Sequence, residues 1–74
     1  MDHITAAVSQ YIQEKGISVL HIAEKTGLRY GAIYPSLCPN PTRKLRADEL
    51  MRICAFLDME PNKFWMASRN DQAE

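Results

Sequence analysis

A chain of 74 residues has room for one small domain and not for two. Nine Lys and Arg balance nine Asp and Glu, so neither a uniformly basic coat nor an acidic solvating tail describes it. No apolar run approaches the roughly 18 residues of a membrane span, and the N-terminus lacks a basic-then-apolar leader. Two cysteines, Cys38 and Cys54, are too few for a disulfide scaffold, so reduced thiols in a cytoplasmic setting are expected.

Ile4, Ala7, Val8, Tyr11 and Ile12 recur at helical spacing and predict a first helix with one apolar stripe. Asp2 is placed to cap its start, and Gly16 to end it. Ser18 offers the N-cap of a second helix carrying Ile22 and Ala23, which Gly27 closes. Leu28 and Ile33 then begin a third helix. Pro35 removes an amide donor and disfavours helical geometry before it, so a short or kinked helix is expected from about Tyr30 to Leu37.

Cys38-Pro39-Asn40-Pro41-Thr42 reads as a loop. Leu45 and Leu50 bracket the start of a fourth helix as a staple, with Asp48 and Glu49 in its first turn where the dipole favours carboxylates. Leu50, Ile53, Cys54 and Leu57 form its stripe. Met59 and Phe64 suggest a second staple around a short fifth helix that Pro61 begins. Nothing strand-like or repeated survives. The expectation is an all-α fold of five short helices, a domain over 1–67 and a polar, frayed tail over 68–74.

The charge is unevenly spread. Between Lys25 and Arg46 lie five cations (Lys25, Arg29, Arg43, Lys44, Arg46) and no acid. Such a stretch can give a chain of zero net charge one phosphate-seeking face, or it can be an ordinary solvated loop.

The informative segment is Ser18-Val19-Leu20-His21-Ile22-Ala23-Glu24-Lys25-Thr26-Gly27-Leu28-Arg29-Tyr30-Gly31-Ala32-Ile33. A small Ala23 suits a close helix crossing, and Gly27, four residues on, suits a left-handed turn. Ile33, six beyond that, ties the second helix to the core. This is the spacing of a helix-turn-helix. The segment, with Glu14-Lys15-Gly16-Ile17-Ser18 before it and Ala47-Asp48-Glu49-Leu50 through Leu57-Asp58-Met59-Glu60-Pro61 after it, resembles the Xre family of phage Cro and repressor-type regulators. The likeness runs from about Ile4 to Trp65.

That resemblance implies a lambda-repressor-like DNA-binding domain with the helix-turn-helix at the second and third helices. It further implies a transcriptional regulator, a repressor or autoregulator of a prophage or mobile-element operon. In the family the third helix enters the major groove. Carried over by position, Arg29, Tyr30, Gly31 and Tyr34 would read bases, with Arg29 suited to gripping guanine. Ser18, Arg43, Lys44 and Arg46 would hold phosphates. The partner would be an inverted-repeat DNA operator bound by a homodimer, with no cofactor and no small-molecule ligand.

The chain departs from the family at Val19, where a polar residue is common, at Arg29, where serine or threonine usually caps, and at Pro35. Val19 and Pro35, with the neutral charge and the two tyrosines, lean toward an alternative: the scaffold reused as a protein-binding module such as an antirepressor, inhibitor or antitoxin-like partner. Phe64, Trp65 and Met66 are consecutive, so they cannot all face one core; Trp65 and Met66 are candidates for a dimer interface or for a cap on the first helix. His3, His21, Cys38 and Cys54 match no metal-ligand spacing. No arrangement of Ser, Cys and His suggests a nucleophile, so an enzyme is not expected.

Overall fold

Left-handed residues and caps divide the chain into helices. The computed structural model describes residues 3–65; Asp2, Met66 and the tail over 68–74 lie outside them. Four helices, α1 (His3–Lys15), α2 (Val19–Thr26), α3 (Tyr30–Leu37) and α4 (Ala47–Leu57), are followed by a helical turn, α5, over 61–65. The described residues contain no strand, and the domain is all-α with five short helices. No helix among them is long and apolar enough to cross a membrane.

Gly16, at φ +70°, ends α1 in a Schellman turn: its amide donates to the Gln13 carbonyl, and that of Ile17 to Ile12. Gly27, at φ +77°, ends α2 with one bond from its amide to Ala23. Asp58 takes the same left-handed conformation after α4, with its amide on Ala55 and that of Met59 on Cys54. Aspartate tolerates this region because its short polar side chain is compatible with it, which the sequence pattern alone did not mark. Pro61 opens α5, where its missing donor would have no partner in any case.

The core draws on every helix: Val8 and Ile12 from α1, Ile22 and Ala23 from α2, Ile33 and Leu37 from α3, Ile53 and Cys54 from α4, Phe64 from α5, with Leu45 from the preceding loop. Phe64 sets its ring edge-on to Tyr11, with centroids 5.7 Å apart. On α4 the Arg52 guanidinium donates to the last α2 carbonyl, Thr26, at 3.2 Å. One turn further, Phe56 meets the His21 ring near the start of α2. The two helices therefore lie side by side in opposite directions.

The first helix departs from its expected stripe. Val8 and Ile12 are fully buried, but Ile4, Ala7 and Tyr11 are only partly so, while Thr5 and Ser9 are as buried as the core. The reason is hydrogen bonding. Thr5 Oγ1 accepts the Leu45 amide at 3.0 Å, and Ser9 Oγ donates to the Leu37 and Cys38 carbonyls at the end of α3. Gln13 Nε2 adds a bond to Leu37 at 2.9 Å. Burying a polar group is tolerable when a partner satisfies it, and the stripe had been drawn on apolar residues alone.

Thr5→Val conserves shape but leaves the buried Leu45 amide without this acceptor. Urea titration should register a loss of about 1–3 kcal/mol, the cost of an unsatisfied buried donor.

Candidate functional site

Ser18 sits in extended geometry, and its Oγ accepts the His21 amide at 3.0 Å, capping α2. The hydroxyl hydrogen remains available to donate outward. At the other end Thr26 Oγ1 donates to the Ile22 carbonyl at 2.7 Å and accepts the Leu28 amide at 3.3 Å, tying helix to turn. A Cβ at Gly27 would meet no atom within 4 Å, so the turn needs glycine for its backbone angle and not for space. Gly27, Leu28 and Arg29 are the entire connection to α3.

Arg29 occupies the N-cap of α3, but its side chain makes no cap bond. Its carbonyl accepts from the Ala32 and Ile33 amides, while the amides of Tyr30 and Gly31 point out of the helix start with no carbonyl ahead of them. The third helix spans Tyr30–Leu37 without interruption despite Pro35. Proline here removes the amide that would meet the Gly31 carbonyl. After it the Cys38 amide still reaches Tyr34, and Thr42 folds back to donate to the Pro35 carbonyl at 2.8 Å.

Ile33, Ser36 and Leu37 face the core, whereas Tyr30, Gly31 and Tyr34 face outward together. The two tyrosine rings lie 5.5 Å apart at 40°. Gly31 has no positive φ, and an added Cβ would touch nothing. A helical glycine costs about 0.5–1 kcal/mol relative to alanine, and no packing within the chain offsets it here. Of the expected base readers, all four thus stand on one exposed edge of the α2–α3 pair.

The expected phosphate holders divide. Arg43 is paired within the chain, its side chain about one-third exposed. Its Nη1 and Nη2 each donate to one oxygen of Glu49 at 3.0 Å, and Nη1 also reaches Ser36 Oγ at 3.2 Å. Glu49 is 4% exposed and accepts the Arg46 amide at 2.9 Å as well. Burial alone would raise its carboxyl pKa, but the Arg43 fork and the Arg46 amide prevail and hold it below the ordinary glutamate value. The same fork raises Arg43. The end-on fork of this guanidinium is thereby committed to Glu49, which leaves its Nε–H edge as the remaining donor pair.

Arg46 is well exposed and lies 3.3 Å from Asp48, a surface pair of little strength. Lys44 is exposed, as are Lys25, Arg29 and Ser18. Glu49 does more than meet the dipole of α4. The Arg46-x-x-Glu49 spacing, half of a capping box, was the signal for its real role; arginine has no acceptor to supply the other half.

Elsewhere, an open groove of about 410 Å³ runs between α1 and α5, lined in part by Tyr11, Met59 and Phe64. Trp65 is about half exposed at the end of α5. Among the described residues no cluster of His, Cys, Asp and Glu could hold a metal ion. Compared with protein-family models, curated proteins and solved structures, the chain has no match.

Because the folded Glu49 pKa is depressed, its contribution to stability is complete above the ordinary glutamate value near about 4.3 and is lost as pH falls through the folded one. Urea titrations across pH 7 to 2 should show that acid limb. Glu49→Gln should flatten it and cost about 1–3 kcal/mol at neutral pH.

Proposed function

We propose that this chain is a sequence-specific, double-stranded DNA-binding regulator of Xre type, acting in the cytoplasm as a repressor or autoregulator of a prophage or mobile-element operon. The observation that carries the reading is the α2–Gly27–α3 pair, whose outer edge presents Arg29, Tyr30, Gly31 and Tyr34 from a helix pinned behind by α1. In this reading α3 lies in the major groove and α2 crosses the backbone. Arg29 grips a guanine edge, Tyr30, Gly31 and Tyr34 meet neighbouring bases, and Ser18, Lys44 and Arg46 hold phosphates. A homodimer would set two α3 helices about 34 Å apart on an inverted repeat. Exposed Trp65 is a candidate for its interface; Met66, its companion, falls outside the described residues.

A second reading, a helix-turn-helix scaffold that binds another protein, draws support from one observation. Two cations of the acid-free stretch are engaged by acids of the same chain, Arg43 by Glu49 and Arg46 by Asp48. Retention on heparin at low salt separates the two, since a DNA binder is held and elutes as salt displaces it.

Selection from a random duplex pool at physiological salt should enrich an inverted repeat. Arg29→Ala should then lower the preference for one base pair per half-site by roughly 5- to 100-fold, the worth of a bidentate contact. Lys44→Ala should weaken every duplex alike and reduce the salt slope by about one. No enrichment from folded protein would favour the protein-binding reading.

A further inference from the structure

The outward face of α3 has an unusual chemical inventory for a surface that meets base edges. Beyond Arg29 at its start it presents two phenol rings and a glycine, with no amide and no carboxylate. Each base offers a distinct pattern in the major groove. Guanine is best met by a bidentate guanidinium, adenine by a bidentate amide, and cytosine by a carboxylate acceptor. Arg29 serves only the first. The group that matches two aromatic rings and a bare backbone is the one apolar group in the groove, the 5-methyl of thymine.

The geometry adds to this. Gly31 neighbours Tyr30 in sequence and lies about one turn before Tyr34, and the two tyrosine rings stand 5.5 Å from each other. Beyond its two chain neighbours and the helix backbone itself, no atom lies within 4 Å of where its Cβ would be. Its φ is not positive, so the backbone does not demand glycine. The outward side of α3 thus offers a shelf, an exposed and bare Gly31 backbone within one turn of both tyrosines. Such a shelf lets a methyl-sized group come closer to the helix axis than any other residue would allow.

We propose that α3 reads thymine through its methyl group, seated on Gly31 against Tyr30 and Tyr34, next to the guanine that Arg29 grips. The proposal rests on the DNA-binding reading above and deepens it by naming the base. Gly31 is then a specificity-determining residue. Tyr30 and Tyr34 supply the apolar wall, and their hydroxyls remain free to meet the backbone or water.

The test uses the full chain and the duplex that selection enriches, with each thymidine replaced in turn by deoxyuridine. That change removes the methyl and keeps base pairing and the O4 acceptor. One or two positions per half-site should lose about three- to tenfold in affinity, the worth of one buried methyl, and the others should not change. Gly31→Ala should melt no lower than the parent and should bind the thymidine and deoxyuridine duplexes equally. Tyr34→Ser should also erase the difference while leaving the Arg29-dependent preference in place. An enriched duplex that tolerates deoxyuridine at every position overturns the proposal and leaves DNA binding intact. A Gly31→Ala protein that melts lower but still prefers thymidine removes the glycine from the reading and assigns it to the accommodation of Pro35. If no duplex is enriched at all, the DNA-binding reading itself fails and this one with it.

Discussion

The Ser9 hydroxyl beneath the end of α3 is the contact on which the exposed edge depends. The last carbonyls of a helix have no partners inside it, and α3 lacks the glycine that usually closes a helix. Cys38 is extended, and prolines at 39 and 41 cannot donate. Ser9 and Gln13 from α1 fill the vacancy, so the register of α3 is read off another helix. An eight-residue helix has little stability of its own in water. Here it is held at its start by a three-residue turn and at its finish by two side chains from α1, which fixes the direction in which its outer residues point.

The Arg43–Glu49 fork plays the corresponding part for the segment between α3 and α4. Glu49 accepts from the Arg46 amide at the head of α4, and Arg43 reaches on to Ser36 in α3. One buried carboxylate thereby joins two helices and the loop between them. Removing either partner of such a pair leaves a charge without compensation, so its value lies in the geometry it enforces more than in net energy. Its electrostatic consequence runs the other way. A cation counted from the sequence toward an external partner is paired internally, and the exposed cations of that stretch are Lys25, Arg29, Lys44 and Arg46.

Much of the architecture was legible because punctuation and periodicity agree. Gly16, Ser18, Gly27 and Pro61 each mark a boundary that the fold uses, and the span of α3 follows from Tyr30 and Pro35 as read. The buried polar residues were not legible. Thr5 and Ser9 look like surface residues on a helical wheel, because their partners are backbone groups 28 to 40 positions away. Asp58 was missed for a different reason: aspartate is a minority choice at a left-handed helix end, and nothing beside it signals the turn. At the candidate site, the exposure of Arg29, Tyr30, Gly31 and Tyr34 agrees with what the family resemblance implied, whereas the pairing of Arg43 with Glu49 had no signal in the sequence. A cation's direction depends on which acid the fold brings within reach, and that is a tertiary fact.

Cys54 sits at 1% exposure in the middle of α4, where burial pushes its thiol pKa up. A thiol that is both screened and protonated does not react until the core opens. Cys38 stands at the opposite limit of the same polypeptide, partly accessible at the end of α3. The two sulfurs therefore report different things: Cys38 reacts from the folded molecule, whereas modification of Cys54 times the opening of the core.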